Sequence, residues 1–124
     1  MQKILAVDDS KVALMQVKKY VLKKFPNCEI LSTTNPVEGV EIAKEHQGTL
    51  DLVMVDFNMK EMNGLEFLEA IDGYIPLSQT VICTANLQKI LETKVNEKGG
   101  RYLEKPLSQE KMDSIFSHYQ QKAS

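Results

Sequence analysis

Residues 53–64 read VMVDFNMKEMNG. An apolar run, opened by Leu52, stops at a bare carboxylate, Asp56, and the loop behind it closes on Asn63-Gly64. A short apolar segment without polar alternation suits a strand covered on both faces, as the central strands of a parallel sheet are. An acid at the end of such a strand stands at the sheet edge where α/β folds gather their ligands. Whether it stands there alone depends on how the other strands end.

Toward the N-terminus, residues 4–7 (ILAV) form another short apolar run, stopped by Asp8-Asp9. Ser10 then offers a helix cap, and Leu14, Val17, Val21 and Phe25 follow at helical spacing until Pro26-Asn27. Residues 28–33 read as a more polar strand. Asn35-Pro36 pairs a capping residue with proline at the first helical position, predicting a helix to about His46. Beyond Gly64 the helical residues are Leu65, Leu68 and Ile71, and residues 80–83 make a fourth apolar strand. Leu87, Ile90, Leu91 and Val95 predict a further helix broken at Gly99-Gly100. Residues 101–104 form a short fifth strand, and Ser108 caps a last helix faced by Met112, Ile115, Phe116 and Tyr119.

Strict alternation of strand and helix predicts a parallel sheet with helices on both faces. The runs beginning at residues 4, 52 and 80 are apolar throughout and belong in the centre, whereas those near residues 30 and 102 are mixed, as edges are. The expected fold is therefore a flavodoxin-like (βα)5 doubly wound sheet of strand order 2-1-3-4-5, with residues 1–124 as one domain.

Composition narrows the function. Fifteen basic and seventeen acidic residues give a formal net charge of −2, which disfavours a nucleic-acid surface. No stretch approaches the ~20 apolar residues of a membrane span and no signal-peptide core is present, so a cytoplasmic protein is expected. The two cysteines, Cys28 and Cys83, fall in strand-like segments and are expected to be buried free thiols.

In the expected order, the strand ends collect Asp8 and Asp9, Asp56, Thr84 and Lys105 at one edge. Carboxylates brought together repel unless a cation joins them. An all-oxygen set with room for water and phosphate suits Mg²⁺, and the absence of Cys or His there argues against zinc. A carboxylate beside Mg²⁺, a lysine and a hydroxyl is equipment for accepting a phosphoryl group. A Mg²⁺-dependent phosphohydrolase with an aspartyl nucleophile uses similar parts. However, the position two residues after Asp56, where such enzymes often carry a general acid, holds Asn58. A dinucleotide or flavin module is disfavoured because residues 7–11 (VDDSK) lack the glycines of a phosphate loop.

The stretches ILAVDDS (4–10), VDFNMKEMNG (55–64), VICTAN (81–86) and YLEKP (102–106) together resemble the receiver domains of two-component response regulators, and the resemblance runs from Lys3 to about Tyr119. It implies that Asp56 is the phosphoacceptor. It further implies that Asp9 and Asp56, with the backbone carbonyl of Asn58, bind Mg²⁺ directly, and that Asp8 acts mainly through water. Lys105 is implied to contact the phosphoryl group, with Thr84 and Tyr102 as the switch pair and a cis Lys105-Pro106 bond. Lys60 stands where the family commonly has proline. The expected role is a stand-alone, chemotaxis-type regulator. A sensor histidine kinase would phosphorylate it, and the face of the fourth helix, fifth strand and fifth helix would bind a target protein. The alternative is a phosphorelay intermediate. No catalysis is implied beyond its own Mg²⁺-dependent phosphorylation and dephosphorylation.

Overall fold

The computed structural model describes residues 1–86 and 101–123, with side chains to residue 118. Strands β1 (Lys3–Val7), β2 (Glu29–Thr33), β3 (Leu52–Asp56), β4 (Thr80–Thr84) and β5 (Arg101–Glu104) form one parallel sheet in the order β2-β1-β3-β4-β5. The expected flavodoxin-like order is thus the observed one. Every residue of β3 and β4 is buried, whereas β2 and β5 are partly exposed, as a middle and two edges require.

The two faces of the sheet carry separate cores, and the pleat divides residues between them by parity. Leu5, Val7, Val53, Val55 and Ile82 face one side, where they meet Val40 and Ala43 of α2 (Pro36–Glu45) and Phe67, Leu68 and Ile71 of α3 (Gly64–Ile71). Ile4, Ala6, Leu52, Met54, Val81 and Cys83 face the other. Their partners are Val17 and Val21 of α1 (Lys11–Lys24) and Met112, Ile115 and Phe116 of the last helix, α4 (Gln109–Ala123). Cys28 and Cys83 are free and buried, and burial pushes the Cys83 thiol up to about 12.

The caps form where the sequence places them. Ser10 accepts from the amide of Ala13, and Asn35 accepts from Val37 and Glu38 ahead of Pro36 at the helix start. At α3, where the sequence predicts only a turn at Asn63-Gly64, Asn63 and Glu66 form a reciprocal capping box. Ser108 Oγ accepts from Lys111 N at 3.2 Å. In α3 the expected Leu65 is only half-buried, and Phe67, which the spacing did not single out, is fully buried. An apolar stripe wider than a single row accounts for this, since a short helix wedged between sheet and α2 buries both flanks. The helix expected over residues 87–98, its Gly99-Gly100 break and the Tyr119 side chain lie outside the described residues. No helix among the described residues is long and apolar enough to cross a membrane.

Gly39 lets α2 lie directly on the sheet. A Cβ there would come within 2.8 Å of Val7 Cγ2 and 3.0 Å of Phe67. Both neighbours are fully buried and cannot retreat. Gly39→Ala gains about 1 kcal/mol of helix propensity and faces overpacking of about 1–3 kcal/mol. We expect net destabilisation, seen in urea titration as a lower midpoint with an unchanged slope.

Candidate functional site

The parity that sorts the core also aims the polar residues. Val7 pairs with Val55, so continuing the register by one residue sets Asp8 beside Asp56 at the carboxyl ends of β1 and β3. Both continue the even-numbered side, toward α1 and α4. Leu103 packs into the same core, so Lys105, two residues on, returns to that side.

The side chains meet as this predicts. Lys105 Nζ lies 2.9 Å from Asp8 Oδ2 and 3.1 Å from Asp56 Oδ1. Asp8 Oδ1 also accepts from the Ser10 amide at 2.9 Å. Carboxylate oxygens of Asp8, Asp9 and Asp56 fall within 4.8 Å of one another, with Asp8 and Asp56 buried and Asp9 exposed. The carboxylates, expected to repel unless a cation joins them, are already partly neutralised by Lys105. Asp8 and Asp56 share one ammonium, and Asp9 alone faces outward.

One cation serving two anions leaves the charge unbalanced. Burial, followed by the charge of Asp8, pushes the Asp56 carboxyl above its usual range, and the hydrogen bond and charge of Lys105 only partly oppose this. For Lys105, burial pulls downward, but hydrogen bonds to Asp8 and Asp56 more than reverse it and hold the ammonium above its usual value. The two directions agree, since the lysine has two partners and each carboxylate has half of one.

The floor of the site is apolar. A cavity of about 10 Å³, scarcely the size of one water, is lined by Asp8, Asp56, Cys83 and Lys105 together with Leu14 and Met54. Beside Lys105 a wider groove of about 330 Å³ opens between Ala13 and Gln16 of α1, Ala85, Pro106 and Leu107.

The other expected site residues lie around this centre. Thr84 ends β4, is buried, and its Oγ1 accepts from Asn86 N at 3.0 Å. Tyr102 is half-buried against the α2–α3 core, on the opposite side of the sheet from Lys105. Neither hydroxyl is hydrogen-bonded to the carboxylates among the described residues. Asn58 is exposed, two residues past the end of β3. Its loop is tethered by Gly64 N donating to Phe57 O at 3.0 Å. Gly64 is needed for that approach, since a Cβ would stand 3.1 Å from Phe57 Cα and 3.2 Å from Asp56 O. The Lys105-Pro106 peptide is cis, as the resemblance implied. Sequence reasoning missed Lys111 and Tyr20. Lys111 Nζ donates to Glu104 O and Pro106 O, and the Tyr20 hydroxyl donates to Leu107 O.

Comparison with known proteins agrees with this geometry. The response regulator receiver domain family matches residues 4–117. Among curated relatives, the two-component response regulator ARR10 of Arabidopsis thaliana is 27% identical over 123 residues, covering 98% of this chain and 22% of that protein. The chain spans only 16% to 30% of the length of this and similar plant response regulators that it matches. Among solved structures, a response regulator receiver domain protein from Clostridium thermocellum superposes with a TM-score of 0.83 at 24% identity, covering 99% of this chain and 97% of that one. A CheX–CheY–BeF3–Mg complex from Borrelia burgdorferi gives 0.81 at 24% identity, covering 95% and 89% of the two chains.

The shared ammonium generates two expectations. Folded Asp56 holds its proton more tightly than the unfolded chain does, so the neutral carboxyl favours folding. That contribution is fully present below the ordinary carboxylate pKa of ~3.9 and is lost as pH rises through the raised value. Asp56→Asn, neutral throughout, should therefore melt higher than the wild type at neutral pH in chelator. The gap should close as the pH falls into the carboxylate range, which thermal melts across pH will check. Lys105→Met leaves two buried carboxylates without their donor and should cost about 1–3 kcal/mol in chelator. Added Mg²⁺ should restore more stability to this variant than it adds to the wild type, measured by melting against cation concentration.

Proposed function

This chain belongs to the response regulator receiver domain family, and we propose that it works as the phosphoacceptor of a two-component system, with Asp56 receiving the phosphoryl group from a histidine kinase. The observation that carries this reading is the buried, incompletely neutralised carboxylate of Asp56. It lies within 4.8 Å of those of Asp8 and Asp9 and 3.1 Å from Lys105. A hard, all-oxygen cluster of this kind fits Mg²⁺.

Asp9, Asp56 and the backbone carbonyl of Asn58 would hold Mg²⁺, with Asp8 acting through water. The cation, when bound, neutralises charge on the phosphoryl oxygens. An Asp56 oxygen attacks phosphorus while the phosphorus–nitrogen bond of a phosphohistidine breaks, and the imidazole nitrogen leaves with the electron pair. Lys105 exchanges a carboxylate partner for the incoming phosphoryl oxygens. The groove bounded by Ala13, Gln16, Ala85 and Leu107 leaves room for the donor beside Lys105. Apart from this chemistry on its own aspartate, the chain turns over no substrate.

Residues 1–124 act as one receiver unit. Phosphorylation recruits the Thr84 hydroxyl, whose proton is its donor, and Tyr102 changes how it packs against the α2–α3 core. Two packings biased by one covalent group are sufficient for a switch. The surface comprising β5, α4 and the expected helix before β5 then binds a target protein in chemotaxis-type signalling. That finer assignment of output rests on the sequence resemblance.

The test is incubation with a small phosphodonor and Mg²⁺. Wild type should acquire an acid-stable, base-labile phosphoryl group, and Asp56→Asn should acquire none. Lys105→Met should react on the order of a hundredfold more slowly. With an acyl-phosphate mimic, amide shifts should spread from Asp56 through Thr84 to Tyr102 and α4, and Thr84→Ala should cut that spread short. Phosphate uptake by Asp56→Asn would overturn the site assignment. Shifts confined to the metal loop in both proteins would overturn the switch.

A further inference from the structure

Lys111 occupies a poor position for a lysine. It is the third residue of α4, in the first turn, where the helix dipole disfavours a cation. Its amide is already satisfied by the Ser108 cap. Its ammonium, however, reaches back to Glu104 O at 2.8 Å and Pro106 O at 2.9 Å. These are the two carbonyls on either side of Lys105.

The same turn is held elsewhere. Tyr20 of α1 donates its hydroxyl to Leu107 O at 3.2 Å, and Gln109 Nε2 returns a bond to Tyr20 O at 3.2 Å. Lys105 N donates to Thr84 O at 2.7 Å. The carbonyls of residues 104, 106 and 107 are thus all engaged by side chains from outside the turn. These contacts fix the backbone from which Lys105 extends to Asp8 and Asp56.

We infer that Lys111, assisted by Tyr20, is a positioning residue for Lys105. By clamping the flanking carbonyls, it holds the Lys105 ammonium where it meets a phosphoryl group on Asp56. The inference rests on the phosphoacceptor reading above. Lys111 touches neither the carboxylates nor the reacting atoms, so its effect is on the placement of Lys105 and not on cation binding.

The experiment measures beryllofluoride affinity in the presence of Mg²⁺, and Mg²⁺ affinity alone, for wild type, Lys111→Met, Lys111→Arg and Tyr20→Phe, at low and high salt. Loss of the clamp should weaken beryllofluoride binding by Lys111→Met roughly tenfold, the scale expected for a small misplacement of a charged donor. Mg²⁺ affinity should be unchanged, and Lys111→Arg, which keeps donors for both carbonyls, should recover most of the loss. Tyr20→Phe, which changes no charge, should weaken beryllofluoride binding in the same direction and leave Mg²⁺ affinity alone. Wild-type affinity in both Lys111→Met and Tyr20→Phe would overturn the inference. A loss shared equally by Mg²⁺ alone would also overturn it, as would a Lys111→Met defect that disappears at high salt, which would assign the effect to charge. If wild type itself takes up no beryllofluoride, the phosphoacceptor reading fails first and the inference with it.

Discussion

One ammonium shared between two buried carboxylates sets the character of this molecule. Lys105 bridges Asp8 and Asp56 from the end of the edge strand, so three strand ends are joined through a single charge. A buried ion pair gains little net stability once desolvation is counted, and here one cation faces two anions. The arrangement therefore keeps Asp56 in a state that costs the fold something. On the proposed phosphoacceptor reading, a divalent cation, or a phosphoryl group that draws the lysine away, would change that balance. That imbalance is what such a ligand would act on.

The sheet is what makes such sharing possible. Because the pleat alternates, Ala6 and Met54 lie in the core beneath α1 and α4, and Asp8 and Asp56 follow them in parity onto the same side. Thr84 follows Ile82 in parity, and Tyr102 packs on the α2–α3 core. The clustered carboxylates and the expected switch residues are thus assigned to opposite sides of one sheet. The two sides meet at its carboxyl edge, where β4 ends in Thr84 and the Lys105 amide bonds to the Thr84 carbonyl. The turn at residues 104–107 is consequently a meeting point of charge, strand end and helix cap.

Much of this was legible from residue order. Strand-like runs ending in Asp8-Asp9, Asp56, Thr84 and Lys105 already placed the polar groups at one edge, because strict strand–helix alternation leaves little freedom of topology. The caps at Ser10, Asn35 and Ser108 were likewise readable, since a cap is a local contact made within a few residues. Phe67 was not, because its burial depends on how closely α3 and α2 approach over Gly39.

What the sequence by itself determined was the order of elements, which strands lie in the middle of the sheet and which at its edges, and the residue types at the strand ends. These follow from short-range periodicity, which the chain carries along its length. Only the tertiary structure decided who pairs with whom. Lys105 and Asp8 are 97 residues apart, and Tyr20 and Leu107 are 87 apart. Such contacts depend on side-chain reach and on the exact approach of separate elements, and neither periodicity nor composition encodes them. For that reason the carboxylates could be expected together but not expected already paired, and the clamp on the turn that carries Lys105 left no mark in the pattern of residues.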